Sequence, residues 1–405
     1  MNPACKASGS AFHPAGLRHI EQWMESYIDS GKSAGMLTLL CRDGEVAQLS
    51  CRGYADIASK RPIESDTIFR LYSMTKPITS VALMTLMEQG RCALDDPAKR
   101  WIPALADLEV YPHEKIESDI TIRQLLTHTA GFSYGFEPDR YPLDRLYAKV
   151  WRQRLQNQTL EQLMQTLFEL PLLAQPGTRW RYSVATDICG YLVELISGMP
   201  FADYLQQTIL EPLGMVDTAF EVSADNLDRF ATLYGFTADD PLAQIERIET
   251  SPFISSISGI PVKLHSGGGG LTSTALDYLR FAQMMLNRGE LDGRRILKPE
   301  TVDLMTRNHL PQHMLPLSYN GVARGAYGGY GFGLGYCINI DPDDTAAAGS
   351  AGDFSWGGIA DTYCWIDPQQ QLIGILMQQY LPSLHHAGRK EFRDCAYAAL
   401  AHPSH

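Results

Sequence analysis

The sequence predicts an α+β fold: one antiparallel sheet assembled from both ends of the chain, flanked by helices, with a mostly helical domain inserted between them. Three observations carry this. Two strand-like runs near the start, residues 35–41 and 45–52, are joined by an Asp43-Gly44 turn. From about residue 85 the apolar spacing becomes helical, broken by loops rich in Pro and Gly. Strand patterns return after residue 329, and a helix closes the chain. The expected organisation is a discontinuous α/β domain, 1–84 together with 326–405, and a mainly helical domain, 85–325.

In order along the chain, Leu17, Ile20, Trp23, Met24, Tyr27 and Ile28 have the spacing of an amphipathic helix. Gly31-Lys32-Ser33-Ala34-Gly35 fits G-x-S-x-G, but a nucleophile elbow needs a strand before its serine and a helix after it. Here the order is helix then strand, so the segment is a helix end. In the hairpin that follows, a two-residue turn sets Cys41 opposite Val46 and leaves Cys51 too far along to bridge to it. The eight cysteines are scattered, without a C-x-x-C pair, as expected of free buried thiols in a reducing cytoplasm.

The next stretch is Phe69-Arg70-Leu71-Tyr72-Ser73-Met74-Thr75-Lys76-Pro77-Ile78-Thr79. An extended approach (Thr67, Ile68, Phe69) precedes a helical pattern through Ile78, Val81, Ala82, Met84 and Leu86, closed by Gly90. Pro77 fits only near a helix start, so the helix should begin at about Ser73. Ser73 then sits at the positive end of the helix dipole, with Lys76 one turn below on the same face. A hydroxyl beside an amine at a helix N-terminus is a candidate activated nucleophile. By itself S-x-x-K is a common pattern, equally a Ser cap before a solvated lysine.

Beyond it, residues 121–127 read as a short capped helix, followed by Thr127-His128-Thr129-Ala130-Gly131. Residues 160–173, 185–197 and 275–286 are further helix candidates, and Gly267 to Gly270, behind His265, read as a turn. In residues 329–336 glycines alternate with large apolar residues, which predicts a strand with its glycines on one face, open to close approach. Its spacing fails G-x-G-x-x-G, so dinucleotide binding is unsupported. Strands at 358–366 and 372–379 should meet at Asp367-Pro368-Gln369, before a terminal helix at 389–400.

Composition narrows the function classes. The 405 residues are 45% hydrophobic and 20% charged, enough for a sizeable core. A net charge of −12 argues against nucleic acid or an anionic membrane as partner. No apolar run has membrane-spanning length, and the first residues lack the apolar region of a secretory signal, so a cytoplasmic location is expected. A homo-oligomer is compatible with all of this.

Two more stretches stand beside Ser73: Trp180-Arg181-Tyr182-Ser183-Val184, a loop entering a helix, and Ser355-Trp356-Gly357-Gly358-Ile359, leading into a strand. With S-x-x-K, the Tyr182 motif, Leu126-Thr127-His128-Thr129-Ala130-Gly131 and Trp356-Gly357-Gly358 in this order, the chain resembles the serine β-lactamase-fold hydrolases over roughly residues 20–400. Within them it resembles the bacterial carboxylesterases called family VIII, relatives of class C β-lactamases and D,D-peptidases. The resemblance implies a β-lactamase-like fold and roles for named residues. Ser73 would be the acylated nucleophile, and Lys76 and Tyr182 would handle its proton. The backbone N–H groups of Ser73 and Ile359 would form the oxyanion hole. Trp356, Gly357 and Gly358 would bind substrate, Trp356 standing where β-lactamases carry the lysine of K-T-G. In this superfamily the His128 turn is structural.

At pH 7 a lysine of reference pKa about 10.4 costs about 4.6 kcal/mol to hold neutral, and a tyrosine near 10 costs about 4 kcal/mol to ionise. Placed together each offsets the other, so the pair should act as a unit. Asp187, one turn beyond Tyr182, either orients the site or pairs with an arginine. Pro311 separates His309 from His313, and His385-His386 has no accompanying ligands, so neither metal nor cofactor is expected.

Two departures bear on substrate. Val184 stands where class C enzymes have the Asn of Y-x-N, and Trp356 replaces a cation that would attract a β-lactam carboxylate. An indole supplies an apolar wall and one N–H. The expected function is a serine carboxylesterase cleaving short-chain, uncharged small-molecule esters through an acyl-Ser73 intermediate. An acyltransferase, or a β-lactamase or D-aminopeptidase-like hydrolase on the same scaffold, is the alternative; the intact Ser73, Lys76 and Tyr182 disfavour a non-catalytic receptor. Loops at 132–147 and 254–264 should supply the pocket walls.

Overall fold

The computed structural model describes residues 11–152, 158–235, 246–248, 262–317 and 328–401. Cys5 and residues 254–261 of the expected pocket wall lie outside them. The chain opens with helix α1 (Pro14–Asp29) and strands β1 (Gly35–Arg42), β2 (Glu45–Asp56) and β3 (Arg61–Pro62). The helices that matter most for the site follow: α2 (Thr75–Glu88), α3 (Ala185–Ser197) and α4 (Ala275–Leu286). Strands β4 (Tyr330–Phe332), β5 (Cys337–Asn339), β6 (Phe354–Gly357), β7 (Tyr363–Asp367) and β8 (Leu372–Gln378) come next, and α5 (Gly388–Ala398) closes the fold.

Both chain ends build one eight-stranded sheet, in the order β4-β5-β6-β7-β8-β1-β2-β3. Every neighbouring pair is antiparallel. β1 and β8 join the halves, with Met36 opposite Gln378 and Arg42 opposite Leu372. In the first hairpin Cys41 does lie opposite Val46, just after a register shift at Leu40, and Cys51 lies opposite Leu37.

Period-two alternation sorts the central strands between two cores. Leu37, Leu39 and Cys41 of β1, with Ile373, Ile375 and Met377 of β8, enter the main core shared with α2, α3 and α4. Met36 and Leu40, with Trp365, Leu372 and Leu376, face Ile20 and Met24 of α1 and Phe392 and Ala396 of α5. Each such Leu or Ile contributes about 1.5–3 kcal/mol on burial, so a one-residue slip, which would exchange the faces, is strongly disfavoured. Helix α2 is buried all round, from Thr75 through Leu86, as expected of a helix apolar on every side. Pro77 falls in its first turn, where no intrahelical N–H bond is lost.

Three expected elements differ. The alternating run at 329–336 is a hairpin, not one strand: β4 ends at Phe332, the N–H of Gly333 donates to the carbonyl of Tyr336 at 2.8 Å, and Gly335 turns at φ +94°. Each glycine still admits a close neighbour, but these are the Asp341 carbonyl, Asn308, the Met305 carbonyl and Ser80, from different parts of the chain. The strand expected at 358–366 begins only at Tyr363, because residues 358–362 form a turn between β6 and β7. The helix begun at Leu160 stops at Leu167, since Pro171 follows and Leu172 N–H is drawn to the Glu109 carbonyl at 2.7 Å. The short helix Ile122–Leu126 has the expected start, a Thr121–Gln124 capping box.

Candidate active site

Ser73 lies in a single 3₁₀ turn, Tyr72–Met74, that runs directly into α2. Tyr72 before it has φ +47°, a left-handed conformation that costs a non-glycine side chain energy and tends to occur at functional sites. The approach is pinned by short-strand pairing of Phe69 with Ser273 and Arg70 with Thr272. Leu71 N–H donates to the Leu271 carbonyl at 3.0 Å, and Leu271 N–H to Thr75 Oγ1 at 3.1 Å.

Around Ser73 Oγ the structure brings two donors together. The Tyr182 hydroxyl donates to it at 2.7 Å and Lys76 Nζ at 3.2 Å. Lys76 is 1% exposed, and its ammonium also donates to the carbonyl of Gly268 at 2.6 Å. It lies 4.7 Å from the centre of the Tyr182 ring and 5.1 Å from that of Tyr134, within cation–π range of both.

Tyr182 is fixed from several directions. Its neighbour Arg181 donates its N–H to the His128 carbonyl at 2.8 Å, and Ser183 N–H reaches His128 Nδ1 at 3.3 Å. The Arg181 guanidinium bonds Asp144 at 2.5 Å and Glu137 at 2.9 Å. The rings of His128, Tyr134 and Trp356 lie 4.9, 5.2 and 5.2 Å from that of Tyr182. His128 is thus a structural element of the Tyr182 loop. Burial, then the positive charge of Lys76, holds its pKa well below the usual histidine value, so the ring is neutral.

A cleft of about 250 Å³ opens onto Ser73, with Tyr72, Tyr134, Phe136, Tyr182 and Trp356 among its walls. Gly357, Gly358 and Ile359 form its edge. Gly358 N–H donates to the Thr362 carbonyl at 2.8 Å, and Thr362 Oγ1 donates to the Leu71 carbonyl at 3.1 Å, tying this turn to the segment carrying Ser73. Trp356 packs edge-on against Phe332 at 5.4 Å, an apolar wall rather than a cation.

Sequence reasoning passed over the glycine-rich loop at 266–270 as a plain turn. It is part of the site, because the Gly268 carbonyl is a partner of Lys76. Asp187 pairs with no arginine among the described residues. Fully buried, it accepts from the Ser266 hydroxyl and from Gly268 N–H at 3.1 Å, and Tyr134 approaches it at 3.5 Å. A side chain on Gly268 would put a Cβ 2.3 Å from the Asp187 carboxylate. The run of glycines was visible in the sequence, but the aspartate it packs on lies about 80 residues earlier. No cluster of three or more His, Cys, Asp or Glu suited to a metal occurs among the described residues, and no helix there is long and apolar enough to cross a membrane.

Fold and site together are those of the β-lactamase-like serine hydrolases. A family profile for Beta-lactamase matches residues 20–398, and the chain belongs to that family. It is 37% identical over 368 residues to Protein Rv1367c of Mycobacterium tuberculosis, covering 88% of each chain. It is 33% identical over 348 residues to Esterase EstB of Burkholderia gladioli, covering 82% of each. Among solved structures it is similar to EstCE1, a hydrolase with promiscuous acyltransferase activity, at a TM-score of 0.79 and 29% identity over 95% of this chain and 99% of that one.

Proposed function

We propose that the protein is a serine carboxylesterase that hydrolyses short-chain esters through an acyl-Ser73 intermediate. The observation that carries this reading is the convergence of Tyr182 and Lys76 on one oxygen, Ser73 Oγ, at 2.7 and 3.2 Å. In the reactive form the Tyr182–Lys76 pair has already given up one proton to solvent, so that as Ser73 Oγ attacks the ester carbonyl carbon its own proton passes to the Tyr182 oxygen. The tetrahedral oxyanion is received by the backbone N–H groups of Ser73 and Ile359, a reading supported by the Thr362–Leu71 tie that holds the two segments together. In enzymes of this kind one such donor is worth ~100–1,000-fold in rate. Collapse breaks the bond to the alcohol, which takes its proton from Tyr182 and departs. Water then attacks the acyl carbon, gives its proton to the same pair, and releases the acid and free Ser73.

Substrate class follows from the walls. Trp356, Tyr134, Phe136 and Tyr72 around the nucleophile suit a short apolar acyl chain, and the cations that also line the cleft, Arg389, Lys390 and Arg393, are each paired with an aspartate. The likeness to Esterase EstB and to EstCE1 supports ester chemistry, and the latter also supports acyl transfer to an alcohol as a side reaction of the same intermediate. The reading predicts turnover of p-nitrophenyl acetate and butyrate with little turnover of cephalosporins. Efficient cephalosporin hydrolysis alongside weak ester cleavage would overturn that order.

A further inference from the structure

A second, polar basin of about 320 Å³ opens beside the cleft. The two share Phe136 and Tyr182, whose rings lie nearly parallel at 6.5 Å and form the partition between them. Arg140, Arg179 and Arg181 line the basin, with Thr178 and His313. Arg181 is matched by Asp144 and Glu137, and Arg140 reaches the same Glu137 at 3.3 Å. Arg179 is exposed and makes no ion pair among the described residues. Three guanidiniums therefore meet two carboxylates, a local excess of positive charge in a chain of net charge −12.

Trp180 also lines the basin; it is 7% exposed, and its indole N–H is enclosed rather than open to the basin. A guanidinium in excess calls for an anionic oxygen.

Position fixes which part of a substrate would carry it. In the reading above, Tyr182 protonates the leaving alcohol, so the alcohol oxygen departs next to the partition. A group extending from it, away from Ser73 and past Phe136, enters the basin. We infer that the basin beyond Phe136 and Tyr182 binds a carboxylate carried on the alcohol half of the ester, with Arg179 as its cation. The apolar cleft at Ser73 holds the acyl half. This inference rests on the esterase reading and refines it: the preferred ester is neutral at its acyl end and anionic at its alcohol end.

The test compares two butyrate esters, of 4-hydroxyphenylacetic acid and of its methyl ester, which differ in that charge and one methyl group. For the wild-type enzyme kcat/KM should favour the free carboxylate about tenfold at low salt, the size of one charge-assisted hydrogen bond. The preference should shrink as salt rises. In Arg179→Gln the ratio should approach one, and in Arg179→Glu it should fall below one. A wild-type ratio at or below one, or a preference that survives both substitutions, overturns the inference. Failure of the esterase reading looks different: neither ester turns over, and p-nitrophenyl butyrate leaves no acyl group on Ser73.

Discussion

Asp187 and Lys76 grip the same peptide from opposite ends: the buried carboxylate accepts the N–H of Gly268 at 3.1 Å, and the Gly268 carbonyl accepts Lys76 Nζ at 2.6 Å. The aspartate makes no hydrogen bond to Ser73; it holds two residues of the cleft wall, Gly268 and Tyr134, so it acts as a positioning residue through them. Asp187→Ala should lower kcat on p-nitrophenyl butyrate about 100-fold, the cost of misplacing a reacting group by about an ångström. KM should change little and the pH–rate profile should move. Asp187→Asn, which keeps an acceptor, should recover part of the loss. A purely structural role would instead lower the melting temperature and leave the pH profile in place.

Gly268 itself has no room for a side chain. A Cβ there would stand 2.3 Å from Asp187 Oδ2 and 2.7 Å from the Tyr134 hydroxyl. Gly268→Ala should cost about 1–3 kcal/mol of stability by overpacking and slow single-turnover acylation with it. Thermal unfolding and stopped-flow release of p-nitrophenol measure the two effects on one sample.

The loop bearing Tyr182 depends on a buried ion pair. Arg181 meets Asp144, which is fully buried and also accepts from Ser133 Oγ at 2.6 Å and Glu137 N–H at 2.9 Å. Removing one partner strands the other, so Asp144→Ala should destabilise by about 3–5 kcal/mol. Replacing both, as Asp144→Ala with Arg181→Met, should cost less than Asp144→Ala alone. Denaturant unfolding of the single and double variants decides it.

His128 makes stability depend on pH. Its folded pKa lies well below the ordinary value because of burial and Lys76. As pH falls below about 6.5, the unfolded chain takes up a proton the folded one refuses, and stability is lost with each step down. His265 and His309, also lowered chiefly by burial, add to the same acid-side slope. His128→Asn should flatten the fall in melting temperature between about pH 7 and 5.5 without abolishing it. An unchanged slope would mean that the ring is not held neutral.

Much of this architecture was legible because local signals agreed with the fold. The Asp43-Gly44 turn set the register that places Cys41 opposite Val46, and Pro77 with the apolar run after it set the start of α2. Spacing alone put Lys76 on the Ser73 face, and motif order brought Tyr182 and Trp356 to the same cleft. What stayed hidden depends on partners distant in sequence. The Gly267–Gly270 turn joins the site only because Asp187, about 80 residues earlier, folds beneath it. The glycines of 329–336 were visible, but period two cannot tell a strand from a hairpin that turns at Gly335. The excess charge at Arg179 emerges only once Arg140, Arg181 and Trp180 are brought around one basin.

The most direct test of the account mixes the protein with p-nitrophenyl butyrate and follows the first turnover by intact mass and peptide mapping. One butyryl group should appear on the peptide carrying Ser73, none should form in Ser73→Ala, and Tyr182→Phe should acylate at least a hundredfold more slowly, within the ~100–10,000-fold range of a positioned acid–base group. Steady ester turnover with the acyl group on another residue, or a Tyr182→Phe variant that acylates within a few-fold of wild type, would contradict it.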